Sequence, residues 1–154
     1  VMGGNPDAMF DLGIQEMGGI GTFVQKGQKV VVKPNIGWDV IPELAANTNP
    51  VLVKRIIEHC IKAGAKDVYV FDHTIDNSVN CYRNSGIEKA AKSAGAKVVP
   101  VYIHGSRRSM SRLHPWLRPV KIRVEILPPL ESGLDERETG RIWHKLMQER
   151  DPLD

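Results

Sequence analysis

Lys33 and Asp72 stand where a chain of this kind does chemistry. Lys33 ends the apolar run Val30-Val31-Val32 and leads into Pro34-Asn35-Ile36-Gly37; Asn47-Thr48-Asn49-Pro50 follows. A lysine and several amides therefore lie between the end of an apolar run and a helix-opening proline. There an ammonium, amide donors and the free N–H groups of a helix start all favour an anion. Asp72-His73 closes the next apolar run, Val68-Tyr69-Val70-Phe71, with Asp76 and Asn77 close behind. A carboxylate beside an imidazole suits acid–base work, which makes Asp72 and His73 the catalytic candidates. Lys33, Asn35, Thr48, Asn49, Asp76 and Asn77 are the ligand-binding candidates. Adjacent residues on an extended chain face opposite ways, so Asp72 is the stronger of its pair. Asp72, His73, Asp76 and Cys81 match no metal-ligand spacing, and no metal is expected. The purely structural alternative is that Asn47 or Thr48 caps the following helix while Lys33 is simply solvated.

These residues need elements to position them. Three consecutive valines, stopped by Lys33-Pro34-Asn35, read as a fully apolar, buried parallel strand. Val51, Leu52, Val53, Ile56, Ile57, Cys60 and Ile61 recur at helical spacing before Ala63-Gly64-Ala65-Lys66. A second strand spans Val68–Phe71, followed by a polar loop with Thr74, Asp76, Asn77 and Asn80. Ile87, Ala90, Ala91 and Ala94 mark another helix, closed by Ala94-Gly95-Ala96-Lys97, and Val98–Ile103 reads as a third strand. Strand–helix–strand–helix–strand with repeated Ala-Gly-Ala-Lys ends predicts an α/β fold: a Rossmann-like βαβαβ parallel sheet with helices on its faces. Ligands in such sheets bind outside the carboxyl ends of the strands, where Lys33 and Asp72 fall. Ahead of the sheet, Asn5-Pro6-Asp7 opens a helix with Met9, Phe10, Leu12, Ile14 and Met17 on its apolar face, and Gly18-Gly19 ends it.

The last third changes character. From Val101 to Glu125 the charged residues are Arg107, Arg108, Arg112, Arg118, Lys121, Arg123 and Glu125, whereas the tail is acidic. Val120, Ile122, Val124 and Ile126 alternate with Lys121, Arg123 and Glu125, predicting a half-exposed strand with one basic face. A final amphipathic helix carries Ile142, Trp143, Leu146 and Met147. Arg107, Arg108 and Arg112 are candidates for phosphate or an anionic membrane surface, against the plainer reading of a solvated basic face. With a net charge of only +3 and sparse aromatics, nucleic acid is not an expected partner. The 154 residues suffice for a real core, and no apolar run reaches the length of a membrane span. Cys60 and Cys81 match no metal spacing and read as free thiols in a reducing, cytoplasmic setting. The expected organisation is an α/β domain over residues 1–103, with a basic loop, strand and helix over 104–154 packed on the same sheet.

Lys33-Pro34-Asn35, Asn47-Thr48-Asn49-Pro50, Ala63 to Asp72 and Asn84-Ser85-Gly86-Ile87 resemble the amino-terminal part of the domain-of-unknown-function family numbered 362, over about residues 3–99. That resemblance implies an α/β protein, often joined to a ferredoxin-type iron–sulfur module, with its reaction largely unassigned. No Cys-x-x-Cys-x-x-Cys run is present, so no cluster is carried over, and the residues name no cofactor. From about Val98, Val99 to Met110 and Pro119 to Leu130 are similar to the tail of the glycerophospholipid acyltransferase family. That family acts through His-x-x-x-x-Asp. Here the positions five after His59, His73, His104, His114 and His144 are Gly64, Ser78, Ser109, Pro119 and Glu149, so its catalysis is not implied. Three readings follow: an uncharacterised domain with an anion or small-molecule site at Lys33, Asn35 and Asp72; a membrane-associated acyltransferase remnant; or an inert folded stub that dimerises through a sheet edge.

Overall fold

The computed structural model describes residues 4–97, 99, 101–104, 116, 119–129 and 136–150. Helix α1 spans Pro6–Glu16 and leads through a short 3-10 turn to strand β1, Lys29–Val32. Helix α2, Pro50–Lys62, returns the chain to β2, Asp67–Val70, which pairs parallel with β1 in the register Val30 to Val68 and Val32 to Val70. Helices α3 (Ser78–Asn84) and α4 (Ile87–Ser93) follow. Strands β3 (Val101–His104) and β4 (Arg123–Ile126) then form a separate antiparallel pair, and α5 spans Glu136–Arg150.

The βαβ unit forms for the reasons its residues suggest. Asn49 caps α2, its side chain accepting the Val51 N–H, and Pro50 occupies the first turn. Val53, Ile57 and Cys60 line one stripe of α2 and are fully or nearly fully buried against Val68 and Val70. Gly64 and Gly95, in the two Ala-Gly-Ala-Lys segments, both take positive φ just past a helix end, a conformation that penalises any Cβ.

The parallel sheet is smaller and barer than the sequence suggests. Beyond β2, among the described residues, only Lys97 continues it, bridging in parallel to Tyr69; the expected third strand is Val98–Ile103, but residues 101–104 pair with β4 instead. The described residues thus carry a two-stranded parallel sheet with one bridge, not the full βαβαβ arrangement. Val30, Val32, Val68 and Val70 face the core under α2, whereas Val31 is 55% exposed and Phe71 lies on open surface. Three valines in a row read as a strand buried on both faces, but only one face of β1 is covered.

Other expectations shift too. Asn5 precedes α1 without capping it, and no residue of α1 is buried, Leu12 and Met17 being exposed. The polar loop after β2 is partly helical, because Asn77 caps α3 by accepting the Asn80 N–H. Met147, Trp143 and residues 105–115 lie outside the described side chains. Cys60 and Cys81 are both free and buried.

Ile57 is fully buried at the centre of the core, so Ile57→Ala should cost about 3 kcal/mol in urea unfolding. Leu12→Ala, at an exposed position of α1, should change stability by under about 0.5 kcal/mol. Equal losses at both positions would show that α1 belongs to the core after all.

Candidate functional site

The carboxyl ends of β1 and β2 meet at Asp72. Its Oδ1 accepts from the Lys33 Nζ at 2.6 Å and its Oδ2 from the Ile36 N–H at 2.8 Å. The Tyr82 hydroxyl accepts the Asp72 N–H at 2.6 Å and donates to the Asp72 carbonyl at 2.9 Å, fixing the backbone beneath. The Asp72 side chain is 7% exposed and that of Lys33 63%. Burial pushes the Asp72 carboxyl up, but the Ile36 N–H and the Lys33 ammonium outweigh it, and the group sits below its ordinary value. The carboxylate is thus an internal anchor, and the ammonium stands at the surface on top of it. His73 is exposed beside them.

Most of the remaining candidates turn inward. The Asn35 N–H donates to the Thr48 hydroxyl at 2.9 Å, the Thr48 N–H to the Asn35 carbonyl at 3.0 Å, and the Asn35 amide to the Ala46 carbonyl at 2.9 Å. Asn47 clamps the loop further out, accepting from the Trp38 N–H at 3.0 Å and donating to its carbonyl at 2.8 Å. Asn47 and Thr48 therefore staple the loop between β1 and α2, and Asn49, not either of them, caps the helix.

A second set of bonds joins this loop to the one after β2. The Gly37 carbonyl accepts the N–H groups of Ile75 and Asp76, and the Asp76 carboxylate accepts the Asp39 N–H at 3.1 Å. The Asp39 carboxylate takes the amides of Asn80 at 3.0 Å and Asn84 at 2.6 Å. A Cβ on Gly37 would stand 3.2 Å from the Asn35 Oδ1 of the same loop, so the tight turn there uses the missing side chain. Asn35, Thr48, Asn49, Asp76 and Asn77 are brought to one region, but their polar atoms serve the backbone. Lys33 and His73 are exposed at the strand ends, with Asp72 buried beneath Lys33. Arg107, Arg108 and Arg112 lie outside the described residues.

A cavity of about 600 Å³ lies elsewhere, between α1 and α2, lined by Asp11, Ile14, Ile20, Arg55, His59 and Lys62 among others. Asp11 receives the Arg55 guanidinium through two contacts of 2.7 and 2.6 Å, and the His59 Nε2 lies 2.8 Å from its Oδ1. The Arg55 hydrogen bonds, with a smaller contribution from His59, hold the Asp11 carboxyl below its ordinary value. The edge of Phe10 meets the His59 ring at 5.2 Å between centroids. Sequence reasoning passes over this cluster. The four-residue spacing of Arg55 and His59 on α2 is the only local signal for it, and that spacing does not reveal a partner on α1.

Two measurements check these assignments. Because the folded carboxyl of Asp72 sits below 3.8, its stabilising contribution is fully present above the unfolded value and is lost as pH falls through the folded one. The urea-midpoint gap between wild type and Asp72→Asn should therefore narrow from about pH 4 downward; a constant gap to about pH 2 would mean the carboxylate is not anchored as described. Arg55→Ala should speed amide exchange across Pro6–Glu16 while leaving β1 and β2 protected, and unchanged exchange in α1 would remove Asp11 as its tether.

No curated protein and no solved structure matches the chain. Residues 30–127 match the family described as Domain of unknown function (DUF362). The match begins at β1, takes in Lys33 and Asp72, and runs past Val98 through β4 as one continuous stretch. The chain belongs to the DUF362 family of proteins of unknown function.

Proposed function

We propose that the protein binds a small anionic molecule, a carboxylate or a phosphate ester, in the crevice at the carboxyl ends of β1 and β2. The observation that carries this reading is the Lys33–Asp72 pair at 2.6 Å, with the carboxylate inside and the ammonium outside. A carboxylate fixed by a backbone N–H and a lysine holds that lysine in one place, so an arriving anion meets a charge that is already positioned. The crevice position supports the same reading, since open α/β sheets bind ligands there. Asp72 acts as a positioning residue, both of its oxygens being occupied, and His73, the next residue, is exposed at the same strand end. Asn35 and Thr48 shape the rim.

A homodimer through the outer edge of β1 is the weaker alternative. Lys29 and Lys33 bracket that strand, and charge at the ends of an edge discourages a second copy from pairing there. A membrane-associated acyltransferase remnant rests on the resemblance of residues 98–150, and the chain carries no His-x-x-x-x-Asp to act with.

A thermal-shift panel of mono- and dicarboxylates, sugar phosphates and nucleotides, run on wild type and Lys33→Ala, tests the proposal. A ligand at 100 times its dissociation constant adds about 2.7 kcal/mol, enough for a clear rise in Tm. The expected result is a rise in wild type that Lys33→Ala loses. A rise of equal size in both proteins, or none in either, overturns the assignment.

A further inference from the structure

Helices α1 and α2 face each other across the cavity of about 600 Å³, and its lining repeats at helical spacing on both sides. Asp11, Ile14 and Gln15 come from one face of α1, and Arg55, His59 and Lys62 from one face of α2. Arg55 reaches across to Asp11, so a charged pair stands where apolar side chains would otherwise interdigitate and close the gap. The carboxylates of the lining are already taken. Asp11 accepts Arg55 through both oxygens and meets His59 through one of them. Glu58 meets Arg55 at 3.3 Å and Lys54 at 3.7 Å. Lys62 is exposed, and among the described residues no acidic group engages it. Ile14 and Ile20, both half-buried, supply the apolar part of the lining.

We infer that the cavity between α1 and α2 binds a small organic monocarboxylate, its charge on Lys62 and its apolar body against Ile14 and Ile20. A ligand cation would find both carboxylates paired and would have to displace Arg55, whereas the Lys62 ammonium is free to form an ion pair. Asp11 and Glu58 repel a second negative charge, so a monoanion fits better than a phosphate dianion. The volume lies in the range of small-molecule pockets, and an apolar body gains by leaving water for the two isoleucines. A ligand there also bridges the two helices, and α1 has no buried residue of its own to hold it down. Lys62 ends α2 on the way to the start of β2, at the other end of the βαβ unit from Lys33. The inference is therefore independent of the Lys33 crevice.

Calorimetric titration of the full chain with isocaproate, a branched monocarboxylate, reads the binding, with acetate, inorganic phosphate and isohexylamine as comparisons. Isocaproate should bind, acetate about tenfold or more weakly for want of the apolar body, and the amine not at all. Lys62→Glu should weaken isocaproate about tenfold or more, and Gln15→Trp should abolish its binding by filling the cavity. Both substitutions fall at exposed positions and should keep the wild-type melting temperature. Lys33→Ala should bind isocaproate as wild type does, and the bound ligand should slow amide exchange across Pro6–Glu16. Four results would overturn the inference: no binding of isocaproate; acetate, phosphate or the amine binding as tightly; binding that Lys62→Glu retains in full; or binding that Lys33→Ala loses and Lys62→Glu keeps. If either variant melts well below wild type, Lys62→Gln takes its place and should still weaken isocaproate; unchanged binding there counts against the inference.

Discussion

A single buried carboxylate joins the two halves of the βαβ unit. The side chain of Asp72 is almost entirely out of water, and a charge in that position is tolerated only when it is paired and hydrogen-bonded. Lys33 supplies the pair and Ile36 the N–H, so the exit of β1 is tied to the exit of β2. Ile36, fully buried in an otherwise irregular stretch, is held in the core by the same contact. Tyr82 completes the arrangement from α3, which docks that helix under the strand end.

Around this point two loops meet with few apolar side chains to hold them. Their backbone groups still need partners, because an unpaired N–H or C=O away from water costs about as much as a lost hydrogen bond. Asn35, Asn47, Thr48 and Asp76 meet that need, and the Asp39 carboxylate takes the side-chain amides of Asn80 and Asn84, so these groups face the chain instead of the solvent. What remains exposed at the strand ends is the Lys33 ammonium and the His73 imidazole.

The helix α1 is attached by a different kind of force. With no fully buried residue of its own, it is joined to α2 by Asp11 accepting Arg55 and meeting His59, and by the edge of Phe10 on the His59 ring. Exposed ion pairs of this kind contribute little each, and the arrangement matters more for where α1 lies than for the stability of the whole. The core itself sits beneath α2, in Val53, Ile57 and Cys60 against Val68 and Val70.

By itself the sequence determined the strand–helix–strand unit, its helix ends and the points where its two parallel strands stop. Helical spacing of Val53, Ile57 and Cys60, the proline after Asn49 and the Ala-Gly-Ala-Lys segments are local signals, each read within a few residues. Lys33 and Asp72 fell at the strand ends for the same reason. Tertiary structure alone decided which polar groups are taken up inside the fold, since hydrogen bonds such as Asp39 to Asp76 or Asp39 to Asn84 join loops that are distant in the chain. It also decided burial: Val31 and Val32 are chemically identical neighbours, and only the placement of α2 over one face makes one solvent-exposed and the other part of the core. The pairing of residues 101–104 with β4 instead of β2 belongs to the same class, because an apolar run specifies that a strand forms and not which neighbour it finds.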